Sequence, residues 1–262
     1  MTKHFLFLIF CLAMAALATS CQEQAELMPA ETQYSNARLA VEEQTLRVTQ
    51  PVVLDATKKR FKPLYDELVQ EMTKWVLHVP SEESPLTDPD GSRHAERKQP
   101  VPYAMILNGN FGGATTRSVT IPRDRLVFIP IASVTGWYYK NDACDPDFKP
   151  APGQSDQDFL DAFLADPVNG ITNMSAKFDG EEIVPNLKQH LFKSSVFKFS
   201  PADEYNFPEC DYSNKKAITV SHSYCLLMKL PRGHHTLTFS ATFQTPGYDD
   251  FVVDMTWNLD IL

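Results

Sequence analysis

The chain is 262 residues long, 43% hydrophobic and 22% charged, with a formal net charge of −9. That balance excludes nucleic acid as a partner, because neutralising phosphates needs a basic surface, and it works against adhesion to anionic lipid by charge alone. The apolar share, with 17 Phe, 9 Tyr and 3 Trp, is ample for one packed core.

The N-terminus carries the clearest signal. Met1-Thr2-Lys3-His4 leads into an apolar run from Phe5 to Ala18, then Thr19-Ser20-Cys21. A basic start, a short apolar core and small residues before a cut describe an export signal. The apolar core is shorter than the roughly 20 residues a membrane span needs. Leu17-Ala18-Thr19-Ser20-Cys21 resembles the lipobox of bacterial lipoproteins, with Ala18 where leucine is most usual. The resemblance implies cleavage before Cys21, acylation of its thiol, and a membrane-anchored lipoprotein of the bacterial cell envelope, on the periplasmic or surface side of the outer membrane. An ordinary secretory signal is the alternative. Cleavage removes Lys3 and no acid, so the mature chain is one unit more negative. The acyl chains must therefore carry the membrane attachment. The organisation expected is residues 1–20 as signal peptide, 21–54 as a polar, acidic tether, and 55–262 as a single domain.

The first element beyond the tether is a helix from about Lys62 to Leu77. Phe61, Leu64, Tyr65, Leu68, Met72 and Trp75 form one stripe, Pro63 suits the first turn, and Pro80 lies beyond the end. The period then becomes twofold. Tyr103–Leu107 reads as a buried strand, and two strands around Val119–Ile121 and Leu126–Ile129 are joined tightly through Pro122-Arg123-Asp124. A second helix is expected over Asp156–Ala165, with Ser155 and Asp158 as a capping pair. Ile171–Phe178 ends at Asp179-Gly180, a hairpin signal. Near the C-terminus, His235, Leu237, Phe239, Ala241 and Phe243 alternate with Thr and Ser, and Phe251 to Ile261 repeats the pattern. One buried and one wet face is the antiparallel signature. The fold class expected is mostly β: an antiparallel β-sandwich, with a jelly roll as one wiring, plus an N-terminal helix and one inserted helix.

Of five cysteines, Cys11 lies in the leader and Cys21 goes to lipid, leaving Cys144, Cys210 and Cys225. Export permits a disulfide. Cys210–Cys225 is favoured, because a strand and the loop before it can bring them together; buried free thiols are the alternative.

A set of segments runs through the mature region: Pro85 to Gly91, Tyr103 to Asn108, Phe111-Gly112-Gly113, Arg117 to Pro122, Phe128-Ile129-Pro130-Ile131, Phe178-Asp179-Gly180 and Gly233 to Leu237. In order and spacing it resembles a group of exported bacterial proteins of unknown function, over most of residues 70–262. The resemblance implies exported β-structure and no particular chemistry. The group implies a cysteine near Arg93-His94 and another near Ser118; this chain has neither.

Candidate chemistry is sparse. His234 and His235 are adjacent and would face opposite sides of a strand. A metal site from His222 and His235 needs their strands to be neighbours. Asp142, Asp145 and Asp147 crowd one loop and are the weak metal candidates, as hard oxygen ligands. Asp249 and Asp250 share a turn. Gly109-Asn110-Phe111-Gly112-Gly113 lacks a phosphate-binding fingerprint and reads as a tight turn. Trp137, Tyr138 and Tyr139 are the candidate ligand-binding residues, three aromatics before an acidic loop that could form a platform for a sugar or a protein. The function expected is a lipid-anchored, non-catalytic module that binds a glycan or a protein, with no cofactor. The alternatives are an envelope hydrolase acting on carbohydrate through carboxylates such as Asp142 or Asp249, and a structural part of a surface assembly.

Overall fold

A computed structural model describes residues 49–207, 210–212 and 215–262. The leader, Cys21 and the tether up to residue 48 lie outside the described residues. The chain forms two packed β-sheets with a helix on the outside of the first, which is the β-sandwich expected.

The first sheet holds β1 (Val52–Val53), β2 (Ala104–Ile106), β4 (Leu126–Tyr138), β7 (Leu191–Lys193), β8 (Phe197–Phe199) and β9 (Ala217–Lys229). Its centre is the antiparallel β4–β9 pair; β2 lies on the far side of β4, and β1, β7 and β8 share the other edge of β9. The second sheet runs β3 (Gly113–Ile121), β11 (Phe251–Ile261), β10 (Gly233–Phe243), β5 (Ile171–Phe178) and β6 (Glu181–Glu182). Leu237, Phe239, Met255 and Trp257 of this sheet pack against Ile129, Ile131, Val220 and Leu226 of the first. Two pairs, β2–β4 and β3–β11, run parallel among otherwise antiparallel ones.

Helix α1 (Lys62–Leu77) covers the outer face of the first sheet. Leu64, Tyr65, Leu68 and Met72 meet Phe128, Phe192 and Leu227 there. Tyr65 fixes the contact twice: its hydroxyl donates to Leu54 O at 2.7 Å and accepts from Leu227 N at 2.9 Å. Val52 to Leu54, within the stretch expected to be tether, therefore belong to the folded body, because β1 pairs with Met228 and Lys229 and Leu54 is buried.

The sequence reading leaves β9 unassigned, although it is the central strand. Covered on both sides, its alternation is apolar against small rather than apolar against charged. Ile218, Val220 and Leu226 face the second sheet, while Ser221, Ser223 and Cys225 share the other face. Ser223 and Ser221 pair across to Ser133 at 2.7 Å and Thr135 at 3.0 Å, so these buried hydroxyls are satisfied.

The strands before and after Pro122 are joined tightly, as expected, but they do not pair with each other. β3 alternates buried and exposed residues and lies beside β11; β4 is buried almost throughout and needs the doubly covered sheet. A β-bulge in β4 between Pro130 and Ala132 shifts its facing. Ile131 and Ala132 both join the inter-sheet core, and from there Ser133, Thr135 and Trp137 face α1.

Helix α2 (Asp156–Asn169) opens on the expected cap, with Ser155 Oγ accepting from Asp158 N at 3.1 Å. It runs four residues past the expected end at Ala165, because Val168 continues the buried stripe of Leu160 and Leu164.

The disulfide joins Cys144 to Cys210, and Cys225 is a buried free thiol; this corrects the Cys210–Cys225 expectation. Tyr138 pairs with Ile218, so the chain leaving β4 and the chain entering β9 emerge side by side, and Cys144 and Cys210 lie on those two segments. Cys225 is seven residues further along β9, roughly 23 Å at the usual rise of an extended strand.

Candidate functional site

A cavity of about 1040 Å³ opens where the first sheet runs out of strands. β2 accompanies β4 only from Leu126 to Phe128, closing with Leu107 N donating to Phe128 O at 2.9 Å. Beyond that point the edge of β4 away from β9 has no strand beside it from Ile131 to Gly136 among the described residues. The cavity follows this edge. Met72, Val76 and Leu86 line it from the α1 side, and Phe243, Phe251 and Val253 from the second sheet. Residues 108–113 form one lip and the β10–β11 connection, with Asp249 and Asp250, another. Among the described residues three acids, Glu204, Asp249 and Asp250, line it, with no Lys, Arg or His.

The lip at residues 108–113 is held by its own sequence. Asn110 Nδ2 donates to Gly113 O at 2.8 Å and to Thr115 Oγ1 at 2.7 Å, and its Oδ1 accepts from Gly112 N at 3.0 Å. Gly112 has φ +100°, and a Cβ there would come within 2.7 Å of the Phe251 ring. Any side chain would both strain the backbone and displace a wall of the cavity.

Behind the lip lies a buried polar cluster. Arg117, 1% exposed, donates from Nε to Asp88 O at 2.6 Å and from its two terminal nitrogens to Gly109 O and Leu86 O, each at 2.8 Å. His94 sits between Trp75 and Trp257, with ring centroids at 5.3 and 4.7 Å. Its Nδ1 meets Asp88 Oδ2 at 2.8 Å and its Nε2 faces Asn108 N at 3.4 Å. A backbone N–H needs an acceptor, so Nε2 is unprotonated and Nδ1–H donates to Asp88. Burial pushes His94 down to about 4. Burial alone would raise Asp88; hydrogen bonds from His94, Arg93 N and Gly91 N outweigh it and hold the carboxyl below the usual range. Ser118 N also donates to Asp90 O at 2.9 Å. The two places where a pair of cysteines was expected are therefore neighbours, tied here by hydrogen bonds.

Asn108, at the foot of this cluster, is the residue sequence reasoning missed. It lines the cavity and is 1% exposed, yet neither its amide oxygen nor its amide nitrogen has a partner. A buried unpaired amide costs roughly 1–3 kcal/mol and calls for a partner. In sequence it is one more polar residue after a strand, with no spacing to mark it.

The three aromatics do not form one platform. Tyr138 faces the opposite way from Trp137 and Tyr139 lies past the end of β4, and of the three only Trp137 lines the cavity, half-buried. Tyr138 is buried on the inner face, its hydroxyl donating to Asp156 of α2. Tyr139 is buried at the disulfide end, stacked on Tyr212 at 4.2 Å and bonded to Asn206 Oδ1.

The acidic loop does not assemble a cation site. Asp142 turns inward, one oxygen accepting from Tyr212 Oη at 2.8 Å and the other from Cys144 N at 3.0 Å. Among the described residues no group of three or more His, Cys, Asp or Glu side chains, Asp145 and Asp147 included, is arranged to hold a metal ion. His222 and His235 stand in different sheets, on β9 and β10. His222 pairs with Asp161 at 2.6 Å. His235 pairs with Asp179 at 2.7 Å in a shallow depression of about 480 Å³ on the second sheet. Asp249 lines the large cavity and Asp142 does not, so the two candidate hydrolytic carboxylates are not brought together there. Among the described residues no helix is long and apolar enough to cross a membrane.

Comparison with protein-family models, with curated proteins and with solved structures finds no match to this chain.

Proposed function

We propose that this protein is a lipid-anchored binding module of the bacterial cell envelope, tethered through Cys21, and that it holds its ligand, a glycan or a protein segment, in the cavity beside β4. One observation carries the reading: a preformed, mostly apolar cavity of about 1040 Å³ with one wall aromatic (Trp137) and one buried amide, Asn108, unpaired. That is the make-up of a ligand site, with apolar walls and few convergent polar groups. Binding without catalysis is favoured because Asp88, His94 and Arg117, the polar cluster behind the lip, are spent on backbone and on one another. Among the described residues the cavity lining has no histidine, cysteine or lysine, and its ionisable groups are the acids Glu204, Asp249 and Asp250 and the phenols Tyr205 and Tyr248.

Two experiments test it. Cys21→Ser in the producing cell should move the protein from the membrane to the soluble fraction; unchanged partitioning refutes the anchor. Screening the purified protein against glycan and peptide arrays should give a ligand class whose affinity falls about tenfold or more in Trp137→Ala, since a buried aromatic anchor is worth more than ~1 kcal/mol. Equal binding by that variant refutes the site.

A further inference from the structure

We propose that the cavity is a strand-width slot in the first sheet, and that its occupant is an extended, apolar segment of another protein, flanked by basic residues, which pairs with the edge of β4. The inference rests on the binding reading above and narrows its ligand to a peptide.

The geometry points to a strand before any other shape. Continuing the line of β2, a chain beside Ile131–Gly136 would have α1 on one side and the second sheet on the other. The edge groups of β4 along this stretch are already withdrawn from bulk solvent, since every residue from Ile131 to Gly136 except Ser133 is buried. Buried backbone groups need partners, and a peptide backbone supplies donors and acceptors at strand spacing. The dimensions agree. Six residues of edge, Ile131 to Gly136, extend about 20 Å, so the cavity volume corresponds to a cross-section of roughly 50 Å². An extended chain in a packed sheet occupies about 4.8 by 10 Å. Asn108 stands where β2 stops, with a free donor and a free acceptor for the first peptide unit that enters.

The walls specify side chains. Alternate residues of the incoming strand would face Met72, Val76 and Leu86, and the others Phe243, Phe251 and Val253, so both sets are apolar. Charge specifies the flanks, because Glu204, Asp249 and Asp250 are the charged residues lining the slot. The same charge argues against the chain's own tether, whose residues 22–48 carry five glutamates against two arginines.

The test uses full-length protein carrying Cys21→Ser and a set of octapeptides with lysine at both ends and alternating Val, Ile, Phe or Tyr separated by Thr. Fluorescence anisotropy should find micromolar binders. Methylating alternate backbone nitrogens of the best binder keeps its side chains and removes donors; affinity should fall at least about tenfold. Exchanging its lysines for glutamates should weaken binding severalfold, and added salt should weaken the lysine form. Amides of Ile131–Gly136 should gain hydrogen-exchange protection, and Asn108→Leu should bind severalfold more weakly. Binding indifferent to N-methylation, or protection that misses Ile131–Gly136, overturns the slot. So does a peptide of residues 22–48 that binds more tightly than every octapeptide. Failure of all octapeptides while a glycan binds in a Trp137-dependent way overturns the slot and leaves the binding function; failure of every ligand class removes both.

Discussion

Replacing Arg117 with methionine should cost the fold about 4 kcal/mol. Methionine fills much of the same space, so the loss comes from hydrogen bonds rather than from a hole. The guanidinium donates at 2.6–2.8 Å to the carbonyls of Asp88, Gly109 and Leu86, with Asn108 O further off at 3.4 Å. A buried carbonyl abandoned by its donor costs roughly 1–3 kcal/mol, so three give about 3–9. Relief from burying a cation offsets part of that, a burial severe enough to push Arg117 down to about 10. In a domain of this size each kcal/mol moves Tm by roughly 2–4 °C, so the variant should melt about 8–16 °C lower. Arg117→Lys keeps the charge on a single nitrogen that cannot span carbonyls at positions 86, 88 and 109, and should recover no more than about half of the loss. Thermal and urea melts followed by circular dichroism measure both. Because two of the four carbonyls belong to the cavity lip, amides of residues 108–113 should also exchange faster. A loss below about 1 kcal/mol would show that water or a neighbour satisfies these carbonyls and would refute the reasoning.

Two other outcomes can be checked directly. Peptide mapping without reduction should recover Cys144 linked to Cys210, with Cys225 labelled only after unfolding, and Cys144→Ser with Cys210→Ser should lower stability by about 2–4 kcal/mol; a Cys210–Cys225 peptide contradicts the fold. Acidification should destabilise the protein from about pH 6.5 downward. His94 is held neutral, so between its unfolded value of 6.5 and its folded value of about 4 the unfolded chain binds the extra proton, and stability is lost as pH falls through that window. His94→Gln should show a shallower fall in Tm between pH 6.5 and 4.5; an unchanged slope assigns the effect elsewhere.

Much of the scaffold is legible in the chain. The stripe from Phe61 to Trp75, the Ser155 cap and the alternation from His235 to Ile261 each state their period locally, and each becomes the expected element. What is not legible depends on partners distant in sequence. Nothing local to Arg117 announces its burial, because the carbonyls that surround it converge from residues 86–109. The pairing of Cys144 depends on β4 and β9 being neighbours, which no local signal states. Trp137, Tyr138 and Tyr139 look like one patch as a string, but the strand turns Tyr138 to the opposite face from Trp137, and Tyr139, past the strand's end, is buried against Tyr212. The cavity itself follows from where β2 stops, and Asn108 takes on meaning only as the residue at that stop.

The extra residue at Pro130–Ala132 makes the middle of β4 intolerant of length change. Excising a single residue there would leave composition and hydrophobicity almost untouched and yet rotate everything from Ser133 to Tyr138 by half a turn. Hydroxyls would be driven between the sheets, and Val134 would stand where Trp137 and its neighbours now meet the helix. Point substitutions in this segment should therefore be graded in their effects, whereas a one-codon deletion should act as a complete loss.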